Sequence, residues 1–177
     1  MSLYYVTGIA GAGKSETYKE LKKRGVEVYG TDEDQLAGFY NNDSGNRVGN
    51  PADSDGETDP DFRNHHTWKL PRTVIEWIKE ESTGKNVFLC GVAANEEEFL
   101  DLFDKLFALI LDDQTVLRRI ASRNNNSFGK EKDELEQIKE WQASTPAYYT
   151  KHNFVQIDAA QPVEQVVDEL LASIKSE

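Results

Sequence analysis

The sequence predicts a three-layer α/β fold with a mainly parallel five-stranded sheet and helices on both faces. Three observations lead there. Short apolar runs rich in aromatic and β-branched residues alternate along the chain with stretches of helical periodicity. Strands alternating with helices build a parallel sheet whose two faces are both covered. The first apolar run, Leu3 to Thr7, leads straight into the glycine-rich turn Gly8 to Gly13 and then into a helical stretch.

Each element has its own warrant in the sequence. Leu3 to Thr7 is the first buried strand, and Lys14 to Arg24 a helix stopped by Gly25. Val26 to Tyr29 is a short second strand. From Asn41 to Arg63 the chain is polar and broken by Gly45, Gly49, Pro51, Gly56 and Pro60, so a long lid or mobile loop is expected. Arg72 to Ser82 is helical, with Pro71 near its start and Gly84 past its end. Val87 to Cys90 is the third strand. Asn95, with Glu98 three residues on, reads as an N-cap and capping-box pair opening a helix through Phe103. Leu106 to Leu111 is the fourth strand, and Asp112 or Asp113 caps a helix with Val116, Leu117, Ile120 and Ala121 on one stripe. A further helix, Lys132 to Ala143, ends before Pro146. Phe154 to Ile157 is the fifth strand. Val163, Val166, Val167, Leu170, Leu171 and Ile174 mark an amphipathic last helix.

Composition bounds the function. A chain of 177 residues is expected to form one compact unit over 1–177. Its formal net charge of −12 has the wrong sign for a nucleic-acid polymer, whose phosphates attract basic surfaces. A small phosphorylated ligand needs only a local positive pocket. Acids crowd Thr31 to Asp61, while bases gather at Arg118, Arg119, Arg123, Lys130 and Lys132. Apolar runs such as Phe107 to Leu111 are far below the roughly 20 residues that span a bilayer, so no membrane partner is expected. Neither a signal peptide nor a second cysteine beside Cys90 is present, which points to the reducing cytoplasm.

The chemistry concentrates in Gly8-Ile9-Ala10-Gly11-Ala12-Gly13-Lys14-Ser15, which fits the phosphate-loop pattern G-x-x-x-x-G-K-[ST]. Glycines let the backbone wrap so that several N–H groups converge on phosphate oxygens. The helix that follows presents its positive end to the same anion. Lys14 is placed to bridge the outer phosphates and Ser15 to offer an oxygen to Mg²⁺. The candidate nucleotide set is Gly8, Gly11, Ala12, Gly13, Lys14, Ser15 and Glu16. Just beyond the second strand lie Asp32 and Asp34, two carboxylates at the sheet edge where ligands bind in open parallel sheets. A solvated turn is the plainer reading of that pair, and a solvated helix face that of the arginines. Asp112-Asp113 follows a hydrophobic strand as a motor ATPase's acidic pair would, but capping suits it better.

At these residues the chain resembles the P-loop small-molecule kinases, the superfamily of adenylate, shikimate and gluconate kinases. Thr31-Asp32-Glu33-Asp34 is similar to the Asp-x-Asp of shikimate kinases, which implies Asp32 on magnesium and Asp34 as the catalytic group facing the acceptor hydroxyl. Arg119-Ile-Ala-Ser-Arg123 is similar to the Arg-x-x-x-Arg opening an adenylate kinase lid, which implies Arg119 on adenine and a catalytic Arg123 on the transferring phosphates. Ile157 to Val163 is similar to the loop lining the adenine pocket, which brings in Ala160. The lid would be 123–131, with Lys130 as an extra phosphate contact, and the acceptor-binding insertion 31–71. The triple glycine and the Asp-Arg of related kinases are missing after Leu89-Cys90-Gly91-Val92.

His65, His66, Trp68 and Arg72 follow the polar stretch. The histidine pair lacks the partner spacing of a zinc site. An acceptor wall is expected instead, with His66, Trp68 stacking and Arg72 on an anion; a core Trp68 and surface Arg72 are the alternative. Cys90 is expected in the core. The sequence thus implies an ATP- and Mg²⁺-dependent phosphotransferase with a small-molecule acceptor, a nucleoside or nucleotide ahead of a sugar acid or shikimate-like acid. The alternative is a P-loop ATPase or nucleotide-binding regulatory module without an acceptor.

Overall fold

The structure is a computed structural model describing residues 2–49, 61–122 and 132–175. Five parallel strands form the central sheet: β1 (Ser2–Thr7), β2 (Glu27–Gly30), β6 (Asn86–Cys90), β7 (Lys105–Ile110) and β8 (Val155–Asp158), in the order β2-β6-β1-β7-β8. Register pairs Val6 with Cys90 and Thr7 with Ala108, so the C-terminal ends of the three central strands lie along one edge.

Alternation along β1 assigns the two cores. Tyr4 and Val6 point to one face, where α1 (Lys14–Lys23), α4 (Asp113–Ser122) and α6 (Val163–Ser173) bury Tyr18, Leu21, Val116, Ile120, Val166, Val167 and Leu170. Leu3 and Tyr5 point to the other, against Ile75 and Ile78 of α3 (Arg72–Glu81) and Tyr149 of α5 (Lys132–Lys151). Helix α1 ends in a Schellman motif. Gly25 takes φ +73°, its N–H bonds to Lys22 O at 3.0 Å, and that of Val26 bonds to Leu21 O at 3.1 Å. Asp112 caps α4, accepting the Thr115 N–H at 2.9 Å.

Three expectations need correction. The polar stretch after Asn41 is not structureless where it is described. It contributes to a three-stranded antiparallel sheet of β3 (Gly38–Asn41), β4 (Arg47–Val48) and β5 (His66–Lys69), entered through the short α2 (Phe62–His65). Asn41 Oδ1 accepts the N–H groups of Asp43 and Ser44, closing the β3–β4 turn, and Phe39 packs its ring 5.0 Å from that of Trp68. Asn95 opens two 3₁₀ turns, Glu96–Glu98 and Leu100–Leu102, rather than an α-helix. Its amide is engaged by the Leu70 backbone, taking the N–H and donating to the carbonyl, both at 3.0 Å. Helix α5 runs through Pro146 instead of stopping before it. The hydroxyls of Ser144 and Thr145 bond back to carbonyls one turn earlier, and Tyr149 beyond the proline is buried against Phe154.

Candidate active site

Above the C-terminal edge of the sheet lies an open cleft of about 1840 Å³. One wall is the Gly8–Gly13 loop between β1 and α1. A Cβ on Gly8 would sit 2.9 Å from Leu109 O and from Ala12 Cβ, so only glycine lets the loop leave β1 beside β7. Gly11 and Gly13 take left-handed φ angles of +84° and +98°. The Lys14 ammonium folds back across the loop, donating to Gly8 O at 2.6 Å and Ile9 O at 3.0 Å. Ser15 and Glu16, the first residues after it, line the same cleft, as do Gly8, Gly11, Ala12 and Gly13.

Asp32 stands across from the loop. It follows β2, and Thr31 fixes it by donating from Oγ1 to Asp32 Oδ1 at 3.2 Å. Thr31 is itself buried against Gly91, where a Cβ would come within 2.0 Å of the Thr31 hydroxyl. Desolvation in the cleft raises the Asp32 pKa, the Lys14 charge opposes that rise, and Glu33 adds to it. The opposite end is set by Arg119, half-buried on α4. It donates to Ala159 O at 2.8 Å and to Gly11 O at 3.5 Å, tying the loop after β8 to the phosphate loop. Arg118 points to solvent.

The structure parts the remaining candidates. Asp34 does not face the cleft. Its Oδ2 accepts the Gly30 N–H at 2.7 Å and its Oδ1 the Tyr18 hydroxyl at 3.2 Å, so it closes the turn after β2. Arg72 lies away from the cleft too. It forms a two-pronged pair with Asp101 at 2.6 and 2.8 Å and reaches Glu76 and the Glu98 carbonyl, which holds its pKa above the usual arginine range. His66 stacks on Phe62 at 4.1 Å and bonds to its carbonyl, off the cleft. Ala160 lines a separate small cavity of about 400 Å³ with Asp112 and Asp158, while its neighbours Ala159 and Gln161 line the main cleft. Trp68 is on the cleft, its indole N–H bonded to Val92 O at 3.1 Å. Arg123, Lys130 and the expected lid 123–131 lie outside the described residues, as does 50–60 of the acidic stretch.

Sequence reasoning missed several cleft residues. Phe39 and Arg47 come from the small sheet, Trp141 and Tyr148 from α5. The most consequential is Glu96. Its carboxylate is buried where β1 meets the 91–98 loop, and its Oε1 accepts the hydroxyls of Tyr5 at 2.7 Å and Thr7 at 2.9 Å. Burial pushes the Glu96 pKa up, and the three hydroxyl and N–H donors from Tyr5, Thr7 and Ala93 only partly offset it. The signal was present: Tyr5 and Thr7 share one strand face, and a buried tyrosine hydroxyl needs a partner.

Comparison with known proteins adds family and fold. Residues 5–140 match a protein-family model described as AAA domain. None of the curated proteins matches the chain. Among solved structures, a shikimate kinase from Acinetobacter baumannii in complex with shikimate is similar, with a TM-score of 0.61 and 19% identity over 99% of this chain and 94% of that one. A sugar kinase from Janibacter sp. HTCC2649 aligns with a TM-score of 0.60 and 15% identity, covering 99% of this chain and 95% of that chain. A deoxyadenosine kinase from M. mycoides with bound dATP gives a TM-score of 0.54 at 16% identity, covering 99% of this chain and 100% of that chain. The three-layer architecture is that of the P-loop small-molecule kinases, as expected from the sequence. Among the described residues no helix is long and apolar enough to cross a membrane.

Proposed function

The chain belongs to the AAA domain family matched over residues 5–140, and from that premise we propose that it is an ATP- and Mg²⁺-dependent phosphotransferase for a small-molecule acceptor. The observation that carries the reading is the meeting of Lys14, Ser15 and Asp32 in one cleft that is far larger than a phosphate alone needs. Phosphoryl transfer asks little covalent chemistry of a protein; it asks for positioning and for neutralised charge. The Gly8–Gly13 loop supplies N–H groups to the phosphates, and α1 adds the positive end of its dipole. Lys14 already lies over the loop and exchanges its two carbonyl partners for phosphate oxygens. Arg119, between the phosphate loop and the Ala159 loop, holds the base side of the nucleotide. Arg123, beyond the described residues, is proposed to reach the transferring group from a lid at 123–131.

Magnesium fits between Ser15, beside the loop, and Asp32, across from it. Ser15 offers a hydroxyl, and Asp32 an exposed carboxylate on the cleft, the hard oxygen donors that a divalent cation takes. When bound there, the ion supplies charge neutralisation on the outer phosphates. The acceptor half is lined by Phe39, Arg47, Trp68 and Tyr148, which suits a small molecule with an apolar face. A place in the cytoplasm, where ATP and magnesium are plentiful, agrees with the single buried Cys90.

An ADP-release screen over nucleosides, nucleotides, sugar acids and shikimate tests the reading. Acceptor-dependent ADP release is expected for one class. ADP release at the same slow rate with every compound, and no phosphorylated product, returns the protein to a nucleotide-binding ATPase.

A further inference from the structure

The phosphotransferase reading leaves open which oxygen receives the phosphoryl group, an alcohol's or another phosphate's. The cleft contains a carboxylate that the nucleotide side does not use. Glu96 is 9% exposed, lines the cleft, and is clamped through Oε1 by two hydroxyls of β1. The Ala93 N–H and the Tyr148 hydroxyl engage the same carboxyl more loosely. Among the described residues no hydrogen bond as short as those of Tyr5 and Thr7 ends on Oε2. Burying a carboxylate is costly unless it is well paired. Here Oε1 is fixed by two hydroxyls while the residue lines the cleft. A carboxylate held in this way is placed to take a proton from a ligand in the cleft.

We infer, resting on the phosphotransferase reading and narrowing it, that Glu96 accepts the hydrogen bond of an alcohol on the acceptor. The substrate class is then a small hydroxyl-bearing molecule rather than a nucleoside monophosphate. Electrostatics separate the two. A phosphate acceptor carries about −1.5 to −2 charges at neutral pH. One unit of like charge about 4 Å from a carboxylate, at an effective dielectric of about 20, weakens binding on the order of a thousandfold. A phosphate oxygen also has no proton that must leave. An alcohol is neutral and does. In the transfer, a bond forms from the alcohol oxygen to the γ-phosphorus of ATP, and the bond from that phosphorus to the β–γ bridging oxygen breaks. The alcohol proton passes to Glu96 Oε2, and ADP departs with the bridging oxygen. The charged and titratable groups facing Glu96 are Tyr5 from β1, Tyr148 and Tyr149 from α5, and Lys14 from α1. Burial and the Glu96 charge keep all three tyrosines protonated, so the carboxyl is the member of this cluster that gives up and takes a proton.

The test follows products by phosphorus NMR with ATP, magnesium and the full chain, using two matched pairs: deoxyadenosine with dAMP, and ribose with ribose 5-phosphate. A new phosphomonoester from an alcohol is expected, and no new diphosphate from dAMP. Glu96→Gln keeps an oxygen for Tyr5 and Thr7, so it folds, and its melting curve verifies this. Its kcat is expected to fall about 10²–10⁴-fold, with ATP affinity by calorimetry unchanged, and its kcat should lose the decline on the acid side of the pH profile. Should none of the four compounds react, transfer to water serves as the alcohol case, and Glu96→Gln lowers that ATP hydrolysis by a similar factor. A diphosphate made from dAMP, or Glu96→Gln with wild-type kcat and an unaltered pH profile, overturns the assignment and leaves the phosphotransferase reading standing. Absence of ATP binding by the wild-type protein brings down that reading instead.

Discussion

The two halves of the cleft are built in different ways. The proposed phosphate side is made of near neighbours in sequence: Gly8 to Glu16 lie on one loop and the first turn of α1, with Asp32 and Arg119 completing it from the ends of β2 and α4. The proposed acceptor side is assembled from segments far apart, Phe39 and Trp68 from the small antiparallel sheet, Glu96 from a 3₁₀ turn, Tyr148 from α5. A short loop around a fixed anion needs glycines and a lysine at set spacing, so its chemistry is written locally. A wall shaped to one acceptor needs only that the right side chains converge, and convergence is a property of the fold. The difference teaches that a P-loop chain declares its nucleotide long before its acceptor.

Three substitutions sharpen or break that contrast. Arg119→Ala removes two donors that join the Gly11 and Ala159 carbonyls and the cation at the nucleotide end. Losing a charge-assisted contact of about 1.5–3 kcal/mol weakens ATP binding by about tenfold or more. Titration with ATP measures it, and unchanged affinity would remove Arg119 from the nucleotide side. A smaller, pH-graded effect is expected at Glu96. Because burial raises its pKa in the fold from an ordinary 4.5, the native protein keeps a proton that the unfolded chain has lost. Stability therefore falls as pH rises from the unfolded value through the folded one, and is flat above. Gln carries no such proton, so the melting temperature of Glu96→Gln gains on the wild type across that window. Parallel curves at all pH values contradict it. The smallest effect belongs to Asp34→Asn. Asparagine still accepts the Gly30 N–H through its carbonyl oxygen, so turnover stays within about twofold, well short of what loss of a positioned base costs. A fall of about 10²-fold or more would return Asp34 to the acceptor side.

How far the sequence spoke can be judged residue by residue. The five strands were legible because buried strands read as apolar runs, and α1 because Gly25 sits where a left-handed residue closes the helix. Asp112 as a cap was legible for the same local reason. Asp34 misled because its spacing from Asp32 matches a shared strand face, whereas the chain turns after Gly30 and points the second carboxylate back at its own backbone. Pro146 misled because a local rule ends helices at proline. Here the burial of Tyr149 beyond the proline offsets a penalty of about 3 kcal/mol. The β3–β4–β5 sheet was hidden because its strands are only two to four residues long and their polar connections dominate the local composition. Arg72 resembled an anion binder, and only the fold brings Asp101 to it from 29 residues away.

The central claim is that the Gly8–Ser15 loop grips the phosphates of a nucleotide and that Lys14 supplies the cation. Calorimetric titration of ATP with magnesium into the wild type and into Lys14→Ala tests it most directly. The Lys14 ammonium bonds to carbonyls of its own loop at the edge of the cleft, so the variant is expected to melt near the wild-type temperature. The wild type should bind ATP, and Lys14→Ala should lose about tenfold or more in affinity. Equal affinity in the two proteins, both folded, would contradict the account at its base.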